Sequence, residues 1–310
     1  MAKQYDVIVI GAGPAGMTAA LYASRAELSV LMLDRGIYGG QMNNTAEIEN
    51  YPGFKSVLGP DLSKKMYDGS TQFGAEYGYG TVTGIDIDGD KRIVRTEDGD
   101  YEAPSVIIGS GSEYKKLGVP GEQEYSGKGV SYCAVCDGAF FKGEDVVVVG
   151  GGDSAIEEAT YLSNIVKHVT VIHRRDQLRA QKILQKRAFD KDNIDFVWNT
   201  NVTEIKGDNQ KVTGVEVKNN KTGETSSIKA SGVFIYVGIL PMTDAFKNLG
   251  ITDESGWIDT DDEMKTKIPG IFAIGDVRKK HLRQITTAVG DGGTAGQGVF
   301  NYVEGLKTKK

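Results

Sequence analysis

The strongest constraint on this chain is a pattern that occurs twice. Residues 5–10 form a largely apolar, β-branched run, the signature of a strand buried on both faces of a parallel sheet. The run leads directly into Gly11-Ala12-Gly13-Pro14-Ala15-Gly16, then a helix expected to reach about Ser24. A second strand, 29–33, is closed by Asp34, 23 residues after Gly11. In such a unit the first glycine makes the turn, the second lets the backbone approach a pyrophosphate, and the third lets the helix pack on the strand. The helix N-terminus turns the positive end of its dipole toward the phosphates. The glycine spacing alone is weak evidence, but with strand, helix, strand and acid around it, it predicts a dinucleotide site.

The second copy begins with the valine-rich strand 145–149 and continues through Gly150-Gly151-Gly152-Asp153-Ser154-Ala155. A helix to about Asn164 and a strand at 168–172 follow, ending in His173-Arg174-Arg175, with Arg179 beyond. Arg174 lies 24 residues after Gly150. An acid at this place suits a ribose 2′-hydroxyl, whereas arginines suit a 2′-phosphate. Two different dinucleotides are implied, the second being NADP(H). Arginines after a strand are often merely solvated, and only their place at the end of a fingerprint supports this reading.

Between the two copies lie the only two cysteines, in Cys133-Ala134-Val135-Cys136-Asp137. Thiols at this spacing close a small disulfide ring and exchange it with another protein, through whichever thiol has the lowered pKa. Half of a zinc site and two inert buried thiols are the competing readings. Zinc needs four ligands, and only His168, His173 and His281 are available, none at a ligand-like spacing; no metal is expected. Asp137 is either a solvated loop carboxylate or a proton donor beside the thiols.

With 310 residues, the chain is long enough for two domains. Its 42 acidic and 36 basic residues, net charge −6, leave no basic stripe for nucleic acid. The terminal Lys307-Thr308-Lys309-Lys310 reads as a solvated tail. Residues 1–6 run into the first strand without a leader pattern, and no apolar run approaches the ~20 residues of a membrane span. Two cysteines make no disulfide scaffold, so a reducing, cytoplasmic setting is expected.

The remaining chain reads as turns at 39–41 and 49–53, a helix at 61–74, and a hairpin from strands 81–86 and 91–96. Strand 106–108 precedes Gly109-Ser110-Gly111, and 113–121 reads as a linker. Strands at 197–202, 212–217 and 225–230 form a second β extension. Strand 233–237 precedes the return linker 241–243. The last unit is strand 271–274 with Gly275-Asp276, then Arg283-Gln284-Ile285 and a helix carrying five glycines within 290–298. Glycines are costly in a helix, so they mark either close packing against a flat cofactor or another backbone, or a poorly formed helix. The expected fold is α/β: two Rossmann-like dinucleotide-binding domains with antiparallel β extensions, residues 114–243 inserted into a domain made of 1–113 and 244–310.

These motifs, in this order and over nearly the whole chain, resemble the bacterial-type low-molecular-weight thioredoxin reductases. Carrying the resemblance are Gly11–Gly16, Gly39-Gly40-Gln41, Glu49-Asn50-Tyr51-Pro52-Gly53, Cys133–Gly138, Gly150–Ala155, His173–Asp176 with Arg179, Gly275-Asp276 and Arg283-Gln284. The resemblance implies FAD in the outer domain, at Gly11, Gly13, Pro14, Ala15, Gly16, Asp34, Arg35, Gly39, Gly40, Gln41, Asn50, Gly275, Asp276, Arg283, Gln284 and Ile285. It implies NADPH in the inserted domain, at Gly150, Gly152, Asp153, Ser154, Ala155, His173, Arg174, Arg175 and Arg179. It further implies that Cys136 faces the flavin, Asp137 is the general acid and Cys133 attacks the disulfide of thioredoxin, in a homodimeric enzyme. The sequence departs from the family pattern at Gly109, Tyr38, Met242 and Lys279-Lys280.

Two rival readings remain. A related reductase could serve another thiol protein, glutaredoxin- or peroxiredoxin-linked; the arginines favour NADPH over ferredoxin, and the cysteines disfavour a flavin–NADP reductase lacking them. A non-catalytic flavin redox sensor would not need a thiol pair, an adjacent acid and a phosphate-reading fingerprint together.

Overall fold

The computed structural model describes residues 2–45 and 47–308. Met1 of the expected leaderless start and Lys309-Lys310 of the expected basic tail lie outside the described residues. The helices are α1 (Pro14–Arg25), α2 (Gly59–Thr71), α3 (Ala134–Asp137), α4 (Asp153–Ser163), α5 (Lys182–Phe189) and α6 (Ile285–Lys307). The chain divides into two units, Met1–Glu113 with Leu240–Lys310, and Tyr114–Ile239.

The outer unit is built on a five-stranded parallel sheet, ordered Ile271–Ala273, Ser105–Ile108, Val7–Ile10, Val30–Asp34, Glu76–Tyr79. Side chains alternate across a strand, and the two faces have different partners. Val7 and Val9 enter a core with Met17 and Ala20 of α1, Leu62 of α2 and Val299 of α6. Ile8 and Ile10 enter a second core with Ile85 and Val94 of an antiparallel extension and with Phe246. That extension is Val82–Asp88, Lys91–Thr96 and Gly99–Ala103, with Lys3–Gln4 added at its edge. Both faces are covered, which is why the central strands read as unbroken apolar runs.

The inserted unit repeats the plan. Its parallel sheet runs Val130–Ser131, Gly232–Tyr236, Asp145–Gly150, His168–Ile172, Ile194–Val197. Val146 and Val148 pack under α4 and α5, while Val147 and Val149 face the antiparallel strands Thr200–Gly207, Val212–Asn219 and Thr225–Lys229.

Three expectations change. Residues 197–202 are two strands in two sheets, because Asn199 takes a left-handed φ of 54° that no continuing strand tolerates. The helix expected from 61 begins at Gly59, with Pro60 in its first turn, where a missing N–H costs nothing. Residues 240–243, assigned above to the inserted domain, group with the outer unit; Met242 N–H donates to Gly111 O (3.0 Å) and Ser110 Oγ to Met242 O (2.7 Å). The two connections, Ser112–Tyr114 and Ile239–Pro241, pair as a ribbon.

Two of the five glycines within 290–298 of α6 answer to another helix. A Cβ at Gly292 would lie 2.3 Å from Ala15 O, and one at Gly296 2.6 Å from Tyr22 Cβ, so α6 lies directly on α1. Gly292→Ala should force the helices apart and lower stability by about 1–3 kcal/mol. Thermal unfolding measures it; an unchanged midpoint would contradict this packing.

Candidate active site and cofactor-binding sites

At the end of strand Val7–Ile10 the chain turns so tightly that a Cβ at Gly16 would sit 1.8 Å from Gly11 O. That brings the N-terminus of α1 to the sheet end, with Pro14 at its first position. Asp34, ending the neighbouring strand, accepts Ala12 N–H at Oδ2 (2.7 Å) and Gly36 N–H at Oδ1 (2.9 Å). Each carboxylate oxygen keeps a further lone pair, so Asp34 is fixed and still able to accept a hydroxyl. Gly39 N–H donates to Ala12 O (2.7 Å), bringing the Gly39–Gln41 turn against the fingerprint, while Gln41 Nε2 donates to Ser112 O (3.2 Å). Arg35 is exposed, 4.0 Å from the Glu113 carboxylate. A Cβ at Gly13 would meet no protein atom within 4 Å; the backbone there is open to a ligand.

The Gly275–Asp276 turn lies against the same corner, a Cβ at Gly275 falling 2.9 Å from Ala15 Cβ. Asp276 Oδ1 is buried with no hydrogen-bond partner. Burial pushes its carboxyl up, and Lys280 and Arg283 pull it back down. A buried carboxylate oxygen without a donor costs free energy, and a hydroxyl-bearing ligand would satisfy it. Arg283 stacks on Trp257, 3.6 Å from the ring centroid, and donates to Asp276 O (3.3 Å) and Arg278 O (3.0 Å). Gln284 caps α6 reciprocally with Thr287, just before Ile285, and Asn50 Nδ2 donates to Gln284 Oε1 (3.0 Å). An open glycine backbone, a ribose-type acid and an orphaned acid together fit FAD.

Sequence reasoning missed Asp291. From α6 it accepts Gly275 N–H (2.9 Å) and pairs with Arg278 (2.9 Å) and Lys280 (2.8 Å), all three side chains about 12% exposed. Its signal was present: it is the one charged residue between Ile285 and Val303. Lys280, a departure from the family pattern, thus points inward to a carboxylate, while Lys279 stays exposed near Asp259 (3.4 Å).

In the inserted unit the second fingerprint is tied to the arginine loop. Arg179 N–H donates to Gly151 O (2.7 Å), and the Asp153 carboxylate accepts Gln181 N–H (2.8 Å) and Nε2 (2.9 Å). His173 is buried against Gly151, its Nε2 3.1 Å from Gln177 O. Burial holds its imidazole below the usual range, so it is neutral at pH 7. His173 and Asp153 are thereby committed to protein contacts. Arg174, Arg175 and Arg179 are exposed and form no ion pair among the described residues. Gly152 is open as Gly13 is, Ser154 follows at the start of α4, and Ala155 is buried. Three unpaired guanidinium groups beside an open glycine turn fit a phosphorylated dinucleotide.

The cysteines follow the edge strand Val130–Ser131. Cys133 caps α3 and is disulfide-bonded to Cys136, Cα–Cα 5.4 Å. Cys136 N–H donates to Cys133 Sγ (3.1 Å), a bond that favours a thiolate at Cys133 once the disulfide is reduced. Asp137 Oδ2 accepts from Ser131 Oγ (2.6 Å). Tyr132 donates to Glu122 Oε1 (2.6 Å), and Glu122 also takes the Leu117 and Gly118 N–H groups. Beneath α3, Ala134 N–H donates to the Tyr236 hydroxyl (3.0 Å), and Tyr114 packs edge-on to Tyr236 (5.4 Å). Glu158 of α4 is buried there with Oε2 unpartnered; desolvation pushes its carboxyl up to about 8.

Comparison with known proteins agrees with this arrangement. Residues 5–292 match the pyridine nucleotide-disulphide oxidoreductase family. The chain belongs to that family. Within it, the chain is 60% identical to thioredoxin reductases of Listeria monocytogenes and Bacillus subtilis, each over 98% of this chain and 96% of the relative. The structure of Lactococcus lactis thioredoxin reductase superposes with a TM-score of 0.96 at 55% identity, covering 97% of this chain and 99% of that one. The two-fingerprint α/β plan described above is therefore the plan of this oxidoreductase family.

Glu158 gives the inserted unit a pH dependence. Its folded value, about 8, lies above the ordinary 4.5. The stability it contributes is therefore fully present below about 4.5 and lost as pH rises through about 8. Glu158→Gln should flatten this loss, making the variant more stable than the parent at pH 8 by on the order of a few kcal/mol. Urea unfolding at pH 5 and pH 8 checks it; parallel losses in both proteins would refute it.

Proposed function

We propose that the chain is an NADPH-dependent flavoprotein that reduces the disulfide of thioredoxin. The observation that carries this reading is the Cys133–Cys136 disulfide with Asp137 beside it, in a unit whose fingerprint ends in unpaired arginines. Relatives that are thioredoxin reductases over their whole length support the same substrate. FAD would be held by the outer unit, at the Gly11–Gly16 turn, Asp34 and Asp276, and when bound would supply the two-electron chemistry that links NADPH to the Cys133–Cys136 disulfide.

The roles of the chain's residues are taken from the resemblance to thioredoxin reductases, and their chemistry suits them. By the family's pattern Cys136 would exchange electrons with the flavin, and Cys133, favoured as a thiolate by the Cys136 N–H, would attack the thioredoxin disulfide. Asp137 supplies the proton that the departing thioredoxin sulfur needs. Arg174, Arg175 and Arg179 select the 2′-phosphate, and Asp34 and Asp276 receive hydroxyls of FAD. Beside Asp137 opens a recess of about 290 Å³ lined by Lys128, Phe141, Glu144 and Lys211. Phe140 on its rim is 82% exposed. An exposed aromatic beside the reactive pair is a natural anchor for a protein substrate, and we assign the docking face there. Membership of the family also makes a cytoplasmic homodimer the expected state; among the described residues, no helix is long and apolar enough to cross a membrane.

NADPH oxidation by the purified yellow protein tests the reading, with thioredoxin as acceptor. Turnover with NADPH, much less with NADH, and none in Cys133→Ser is expected. Flavin bleaching without reduction of thioredoxin would instead favour another thiol protein as substrate.

On this reading nicotinamide and disulfide would both be carried by the inserted unit, and the flavin that each must reach would be carried by the outer one. We infer that the inserted unit turns on the connections near 113–116 and 241–244, presenting each in turn. Cross-linking the two units should abolish turnover while NADPH still binds; full turnover in the locked protein would overturn it.

A further inference from the structure

Ser131 is a buried polar residue that no part of the mechanism above uses. Its hydroxyl sits among three groups. It accepts Cys133 N–H (3.0 Å), lies 2.6 Å from Asp137 Oδ2, and lies 3.2 Å from Cys133 O. A serine hydroxyl has one hydrogen to give and two lone pairs to receive. Here one lone pair is occupied by Cys133 N–H, leaving one hydrogen and one lone pair for two neighbours.

We propose that Ser131 is a positioning residue whose hydroxyl holds Asp137 beside the disulfide in both protonation states of the acid. When Asp137 is a carboxylate, Ser131 donates its hydrogen to Oδ2. When Asp137 is protonated, the carboxyl O–H donates to Ser131 Oγ, and the serine hydrogen swings to Cys133 O. Every donor has an acceptor in both arrangements, and no heavy atom has to move. An alanine or a backbone N–H in this place could not do both.

The need for such a holder follows from the proton count, and this argument rests on Asp137 being the acid, as proposed above. The Cys133 thiolate attacks one thioredoxin sulfur. The thioredoxin S–S bond breaks, and its electron pair leaves on the second sulfur, which takes the Asp137 proton. Cys136 then gives its proton to the Asp137 carboxylate and attacks Cys133 Sγ. The mixed disulfide breaks, the enzyme disulfide re-forms, and the released thioredoxin sulfur takes the proton back from Asp137. Asp137 thus changes state three times in one exchange. A partner suited to only one state would release the acid midway, and misplacing it costs catalysis.

The test compares Ser131→Ala, Ser131→Thr and Asp137→Asn holoenzymes with NADPH and thioredoxin. Ser131→Ala should lower kcat by about tenfold, a part of the general-acid contribution, with KM for thioredoxin unchanged. Ser131→Thr keeps the hydroxyl and should restore most of the rate. Bleaching of the flavin by NADPH, recorded in each variant, shows that both nucleotide sites have folded. Parental kcat in Ser131→Ala with a slow Asp137→Asn would overturn the role of Ser131 and leave the acid in place. Equal losses in Ser131→Ala and Ser131→Thr would also overturn it, since the hydroxyl would then not be what matters. Parental kcat in Asp137→Asn would overturn the acid assignment itself, and this proposal with it.

Discussion

The structure depends on one close approach, repeated. A strand buried on both faces must leave its sheet through a turn that lets the next helix lie flat on it. At Gly16 over Gly11 that approach leaves no room for a Cβ. The contact sets the axis of α1, and its N-terminal N–H groups then face out of the sheet end, where an anion is stabilised. The Gly39 turn, Asp34 and the Gly275 turn converge on the same corner through short backbone hydrogen bonds and contacts. Even α6 is placed by it, since Gly292 rests on the carbonyl of Ala15, one residue before Gly16.

The same turn recurs in the inserted unit, but the side chains around it differ. Where Asp34 binds two backbone amides, the second unit carries exposed arginines, and its own acid, Asp153, instead fastens the loop that bears Arg179. On the proposed reading, backbone geometry suits both turns to a dinucleotide, and charge decides which one. The charge cluster Arg278–Asp291–Lys280 has no counterpart in that logic. It is a largely enclosed network, and removing one partner of such a network costs more than the network gains over an apolar core. Its position, with Asp291 holding Gly275 N–H, ties the Gly275–Asp276 turn to α6.

The reactive pair sits on a poor element for holding anything still, a four-residue helix at a sheet edge. Its rigidity comes from below and behind. Tyr236 holds Ala134, Glu122 holds Tyr132, and Ser131 holds both Cys133 and Asp137. Glu158 lies buried in the same layer and remains protonated at neutral pH, so no net charge is placed under the disulfide from that side.

Much of this was legible in the sequence because it is local. The two fingerprints, the acid and the arginines, the C-x-x-C and the strand runs around them depend on residues near one another along the chain, where backbone sterics and side-chain alternation act directly. The break at Asn199 was not legible, since asparagine tolerates both the extended and the left-handed conformation, and its backbone bond to Arg175 chose between them. The glycines of α6 announced a close contact but not its partner; only packing on α1 showed that Gly292 and Gly296 meet another helix. Lys280 and Asp291 read as separate charges eleven residues apart until the fold buried them together. Ser131 reads as an ordinary strand residue, and its meaning appears only when a helical turn brings Asp137 back to it. Local sterics and period are written in the sequence; which polar atoms end up sharing a desolvated place is decided only when the chain closes on itself.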